Sequence, residues 1–163
     1  MEENVILVYF SLDGATEYIA QKISDKLKCD LLKVTYKSAR PLKGFLKYFI
    51  YGFQASTKRK PQINYRPVNL SNYDTIIIGS PVWASSFTPP IRSFFYLNPV
   101  KDKNISLFFT CGLSAESAVK KLKIFLGYNN YITEESFKAP FDNNDEYLQQ
   151  KLDNFTKTIT SKL

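Results

Sequence analysis

Residues 5–20 read VILVYFSLDGATEYIA. The opening run, Val5 to Phe10, is apolar throughout and partly β-branched, the pattern of a strand covered on both faces. Beyond it Ile19, Ile23 and Leu27 recur at helical spacing. Two hydroxyls and a glycine, Ser11, Gly14 and Thr16, therefore stand where a strand turns into a helix. Backbone N–H groups at a helix N-terminus lack partners and lie at the positive end of its dipole, so they attract an anion. Gly14 lets the backbone approach closely, and the two hydroxyls add donors. Ser11 to Thr16 thus reads as a cradle for a phosphate. It has neither the lysine of a P-loop nor the three glycines of a dinucleotide fingerprint, which points to a monophosphate ester. A plainer reading stands beside this one: Thr16 caps the helix and Asp13-Gly14 makes an ordinary tight turn. Asp13 suits a phosphate only if its carboxylate points outward.

Working outward, two more continuous apolar runs appear, Thr75–Ile78 and Ile105–Phe109. Two mixed segments, residues 29–36 and 131–137, suit sheet edges better than a sheet centre. Helical spacing separates the strands: Ala115, Ala118, Val119, Leu122 and Phe125 share one face, and Leu148, Leu152, Phe155 and Ile159 share another. The second of these follows a cap-rich stretch, DNND at 142–145. TPPIRSFF, from Thr88, opens a helix with proline in its first turn. A further helix is expected near 43–56, weakened by Gly52. The order is β-α five times over, with neither repeat nor linker. It predicts a single α/β domain over residues 1–163, a three-layer sandwich around a five-stranded parallel sheet of order 2-1-3-4-5. Such a sheet puts its ligand at the carboxyl ends of the strands, beside the switch between strands 1 and 3.

The 163 residues suit one domain with a full core. No histidine is present, which excludes Ser-His-Asp and Cys-His catalysis and leaves chemistry to a cofactor. Cys29 and Cys111 make no disulfide framework or metal-ligand spacing. With no apolar run long enough to span a bilayer and no basic-then-apolar leader, a cytoplasmic protein without membrane insertion is expected. Lys and Arg number 22 against 15 Asp and Glu, a net charge of +7. The basic residues are spread along the chain apart from Lys58-Arg59-Lys60, which reads as a solvated loop. No nucleic-acid motif accompanies them, so no nucleic-acid partner is expected.

After the third strand comes GSPVWASSFTPP, residues 79–90, which holds the only tryptophan. Trp83 is placed to lie against a flat ring, with a plug at the top of the core as the plainer reading, whereas Phe87 reads as core. Pro81 and the Pro89-Pro90 pair stiffen this loop. After the fourth strand comes TCGLSAES, residues 110–117, where Gly112 leaves room for a ligand near the backbone. Cys111 reads as a small buried residue, since no histidine is there to activate it.

These three loops together resemble the flavodoxin family. YFSLDGATEYIA is similar to its phosphate loop, GSPVWASSFTPPIRSFF to the loop and helix after its third strand, and FFTCGLSAES to its third flavin loop. PLKGFLKYFIYGFQASTKRKP, residues 41–61, is similar to a basic-aromatic segment of some bacterial members. The resemblance implies FMN, bound non-covalently and used for electron transfer between redox proteins. It implies that Ser11, Leu12, Asp13, Gly14, Ala15 and Thr16 surround the phosphate, mostly through backbone N–H. Pro81, Val82, Trp83 and Ala84 would border the flavin ring, and Thr110, Cys111 and Gly112 would approach its pyrimidine edge. Four departures stand out: Ala15 where many members are polar, a third loop without an outer aromatic, fewer glycines in that loop than in related ones, and, the largest, a basic charge. The last implies redox partners with an acidic docking face. An NAD(P)H-dependent flavin or quinone reductase is the alternative on the same fold, with the open third loop leaving room for its substrate.

Overall fold

The computed structural model describes residues 4–37, 57–138 and 145–163. Its strands are β1 (Val5–Phe10), β2 (Asp30–Tyr36), β3 (Ile63–Asn64), β4 (Thr75–Pro81), β5 (Asn104–Cys111) and β6 (Asn130–Lys138). Its helices among the described residues are α1 (Ala15–Leu27), α2 (Pro89–Leu97), α3 (Glu116–Leu126) and α4 (Glu146–Thr160). The sheet order is β3-β2-β1-β4-β5-β6. Its five long strands run parallel in the expected order. The addition is β3, which pairs antiparallel with the end of β2 through only Thr35–Asn64 and Tyr36–Ile63. Two residues are too few to show a hydrophobic period, so this strand is invisible in the sequence. The helix expected near 43–56 lies outside the described residues, as do residues 142–144 of the cap-rich stretch.

Both faces of the sheet are dry because successive side chains of each central strand point opposite ways and both sets are apolar. Ile6, Val8 and Phe10 of β1 join Ile76 and Ile78 of β4 under α2 and α3, with Phe87, Ile91, Phe94 and Leu122. Leu7, Tyr9 and Ile77 face the other way, under α1 and α4, with Ile19, Ile23, Phe108, Phe155 and Ile159. Each such buried aliphatic or phenyl side chain contributes about 1.5–3 kcal/mol. Phe87 is fully buried, as expected of a core residue.

Gly79 belongs to this core rather than to the loop. A Cβ there would lie 2.2 Å from the Phe108 ring, so its bare backbone is what lets β5 place that ring between β4 and the α1–α4 layer. β4 and β5 correspondingly run beyond their apolar stretches, to Pro81 and Cys111, still in register at Pro81–Thr110. Helix ends follow local chemistry. Thr88 precedes Pro89 and Pro90 in the first turn of α2, and the Asp145 carboxylate caps α4 by accepting from the N–H groups of Tyr147 and Leu148. Among the described residues no helix is long and apolar enough to cross a membrane.

Candidate functional site

The carboxyl ends of β1, β4 and β5 carry three loops that meet at one rim. The first, Ser11 to Gly14, ends in a left-handed glycine, φ +90° and ψ −16°, directly before α1. Gly14 N–H donates to the Ser11 hydroxyl oxygen at 3.1 Å, which closes the turn locally. A left-handed residue followed by a helical one converges successive N–H groups into an anion-binding concavity. Gly14, at the N-cap, brings no side-chain cap to the helix, and a Cβ on it would meet nothing within 4 Å. The glycine is thus required for its φ, and open space lies beside its α-carbon. Leu12 and Ala15 are half-buried and Asp13 is exposed.

Thr16 does not cap α1. It is 1% exposed, and its Oγ1 lies 2.7 Å from the Oγ1 of Thr110 at the end of β5. The two hydroxyls are therefore bonded to each other inside the protein, one donating and one accepting. The donors left for an anion at the first loop are backbone N–H groups, with Ser11 as the remaining hydroxyl. Thr110 also accepts the Val82 N–H on its carbonyl at 2.9 Å, which ties the second loop to the third. One residue thus braces all three loops, through its side chain to the first and its backbone to the second.

The second loop is closed at its base by Ser80 and Thr88, whose hydroxyl oxygens are 3.1 Å apart, with Thr88 N–H donating to Ser80 Oγ. At its tip Trp83 and Ser86 exchange N–H···O bonds of 2.9 Å around Ala84 and Ser85. Those two residues have φ of 46° and 54°, a hairpin turn with both central residues left-handed and neither of them glycine. Lys121 of α3 donates to the Ser85 carbonyl at 2.9 Å and fastens the tip. Pro81 and Val82 are half-buried below it. Trp83 is half-buried, its ring set edge-on to Phe10 at 5.6 Å, and Phe10 meets Tyr36 in the same way at 5.5 Å. The indole thus stands at the end of an aromatic row, packed against the edge of the core.

In the third loop Cys111 is buried, and burial pushes its thiol pKa up, against the pull of Lys138 and Lys151. It is a neutral thiol at neutral pH, without the activation a nucleophile needs. Gly112 is exposed and open, as at Gly14. Leu113 beside it is 88% exposed, a large aliphatic chain at the rim. Reading the sequence passed over this residue, although a lone leucine among small and polar neighbours is a visible signal. Also missed was a network beneath the first loop. Tyr9 of β1 donates to Glu17 of α1 at 2.9 Å, and Lys33 of β2 reaches both Glu17 oxygens at 2.8 Å. Lys33 is the main cause that holds the Glu17 carboxyl below its ordinary pKa, and burial together with Glu17 pushes the Tyr9 phenol above its own.

Every residue expected at the site lies on these three loops or the strand and helix ends that carry them. In sum, the rim presents N–H donors at one loop, an indole at the next and open backbone at the third. A family model described as Flavodoxin matches residues 4–134. The flavoprotein from Lactobacillus acidophilus NCFM in complex with FMN is 22% identical, with a TM-score of 0.72 over 91% of this chain and 98% of its own. The apo-form of the flavoprotein from the same organism is 25% identical over 83% and 93%, with a TM-score of 0.67. Two-electron reduced Megasphaera elsdenii flavodoxin is 17% identical over 96% and 98%, with a TM-score of 0.59. Among curated proteins none matches. With its fold, its three-loop rim and a family match across most of its length, the chain belongs to the flavodoxin family.

Proposed function

We propose that the rim holds FMN non-covalently and that the protein carries electrons between redox proteins. The observation that supports this best is the first loop: an uncapped helix N-terminus behind a left-handed Gly14 with open space beside it. That is the chemistry a phosphate monoester needs, and the charge-assisted bonds it makes there are stronger than neutral ones. The residues present fit the group. Ser11 to Thr16 would take the phosphate, chiefly on backbone N–H. Trp83, set in place by Phe10 and by its own turn, would border one face of the ring, and Gly112 would let the opposite backbone come near. Leu113, exposed at the rim, would shield the outer edge of the ring. FMN, when bound, supplies transfer of one or two electrons. The chain's part is to bind, orient and screen it.

Charge shifts the reduction potential of a bound flavin and favours one kind of partner. A net +7 favours the anionic, fully reduced flavin relative to an acidic protein, within the reach of about one Debye length, ~8–10 Å. The two-electron-reduced state should therefore form at a less negative potential than in acidic relatives, and the partners should dock through acidic faces. An NAD(P)H-dependent FMN reductase is the second reading, favoured by the exposed, aromatic-free third loop.

The deciding experiment is fluorescence titration of FMN into the flavin-free protein, followed by an absorption spectrum. Saturable one-to-one quenching with a yellow product is expected. FMN fluorescence that stays unquenched would refute the assignment. Adding NADPH to the loaded protein separates the two roles: no bleaching without a partner reductase marks a carrier, and rapid bleaching marks a reductase.

A further inference from the structure

Arg92 of α2 is 8% exposed, and its guanidinium carbon stands 4.2 Å from the Phe87 ring centroid and 5.1 Å from that of Phe125. The rings satisfy the flat faces of the cation. Its N–H edge is another matter. Nε is buried without a hydrogen-bond partner, and among the described residues no carboxylate pairs with Arg92. Burial alone pulls its pKa below the ordinary arginine value, with no opposing charge to restore it. A guanidinium N–H removed from water and left without an acceptor is costly, so the place of Nε calls for a reason.

A cavity of about 460 Å³ lies beside it, between the Trp83–Ser86 turn and α3. Lys58, Ala84, Ser86, Lys121 and Phe125 line it together with Arg92. Among the described residues it thus carries three cations and no carboxylate. Lys121 spends one N–H on the Ser85 carbonyl and keeps two.

We propose that this cavity binds the dianion of a phosphate monoester, on the α3 side of the second loop and apart from the anion cradle of the first loop. A single carboxylate would answer one of the three cations, whereas a phosphate brings a charge of roughly −1.5 to −2 and three acceptor oxygens at neutral pH. The planar fork of Arg92, pre-set by its two rings, matches two phosphate oxygens at once. Inorganic phosphate would leave most of the volume empty. Phe125 and the 82% exposed Ile124 supply an apolar wall for an organic body, such as that of a nucleoside monophosphate. The site also bears on the rim, because Ala84 is part of the turn that presents Trp83 and Lys121 fastens that turn from α3. None of this depends on the flavin assignment.

Inorganic phosphate, adenosine monophosphate and adenosine are titrated separately into FMN-saturated protein, so that the first loop is already filled. Isothermal titration calorimetry gives each affinity in the wild type and the variants, and nitrogen-15 NMR follows the Arg92 Nε–H signal, identified by its loss in Arg92→Lys. Saturable shifts of that signal by adenosine monophosphate are expected, with adenosine binding at least about tenfold more weakly for want of charge-assisted bonds. Arg92→Lys should weaken binding about tenfold and Lys121→Gln about three- to fivefold. If Arg92→Lys does not fold, Lys58→Gln and Lys121→Gln carry the test. Equal affinity for phosphate and its nucleotide would sustain the site with free phosphate as ligand, and tighter nucleotide binding would sustain it with the ester. Three results would overturn it: adenosine binding as well as its phosphate, shifts confined to the Ser11–Thr16 amides, or affinity unmoved by every variant. Response to a polyglutamate peptide but not to phosphate would overturn it too, and would give the surface to an acidic protein instead. Protein that fails to retain FMN can still be read at Arg92, so loss of the flavin reading and loss of this one are distinguishable.

Discussion

The first and second loops both turn the chain through left-handed backbone, and they differ in what carries it. In the first, one glycine does so, Gly14 at φ +90°, in open space. In the second, Ala84 and Ser85 do so in succession, at φ 46° and 54°. A left-handed conformation costs an L-residue about 1–2 kcal/mol, so the second loop is strained where the first is relaxed. It persists because its surroundings over-determine it. The Ser80–Thr88 pair closes its base, the reciprocal Trp83–Ser86 bonds close its tip, and Lys121 holds the Ser85 carbonyl from outside. The difference matches the tasks proposed for them. An anion needs only well-aimed N–H groups, which glycine presents without strain. A planar ring needs a wall in one fixed place, which a stiff turn built against α3 provides.

Thr110 is where the two loops share a support, and its removal should have the largest effect. In Thr110→Val the buried Thr16 hydroxyl loses its partner, at a cost of about 1–3 kcal/mol in urea denaturation. The Val82–Thr110 backbone bond survives this change, so the first loop should loosen and the second should not. Thr16→Val should cost a similar amount. The double variant should cost clearly less than the sum, because the second removal leaves nothing unpaired. Additive costs would mean that the brace does not exist.

A pair of glycine exchanges tests the contrast itself, through opposite signs. Gly14→Ala should lose about 1 kcal/mol by forcing a side chain into left-handed backbone, and should weaken FMN binding as the amides shift. Ala84→Gly should gain about 0.5–1 kcal/mol, since relief of the turn outweighs the added freedom of the unfolded chain. Thermal and urea unfolding measure both. A loss at both positions would show that the second loop is not strained, and the contrast would fail.

The distinction between these loops shows what a sequence displays and what it hides. The five-strand order was legible because continuous apolar runs alternate with helical spacing, and both signals come from burial on a large scale. Gly14 was legible as well, since a glycine between a strand and a helix has few uses. Thr16 and Thr110 were each placed at the site, but their bond was not foreseeable. It joins residues 94 apart, and nothing in local pattern says that two hydroxyls will meet. The positive φ of Ala84 and Ser85 was hidden for a related reason: neither residue type advertises it, and the enforcement comes from Lys121 and Thr88. Gly79 looked like the start of a loop, whereas its cause is the Phe108 ring on the neighbouring strand. Arg92 sits inside an apolar helix pattern, where its burial against Phe87 and Phe125 depends wholly on tertiary packing.

The smallest effect concerns the acid in the first turn of α1. Glu17 sits behind the proposed phosphate cradle, where a free carboxylate would oppose an incoming anion. Tyr9 and Lys33 draw it away, and both partners of the ion pair stay partly exposed, at 41% for Lys33 and 42% for Glu17. Its folded pKa is lowered from the ordinary 4.5, chiefly by the Lys33 bond. The resulting stabilisation is therefore complete above that ordinary value and is lost as pH falls through the lowered one. Solvent screening limits it to a few tenths of a kcal/mol, in the range of about 0.2–1 for exposed pairs. Lys33→Met should shrink the difference in unfolding free energy between pH 7 and pH 3 by about that amount. It should also weaken FMN binding at pH 7, because the carboxylate regains its freedom near the phosphate. An affinity that stays the same while the acid limb changes would mean that Lys33 steadies the fold but does not clear the first loop for an anion.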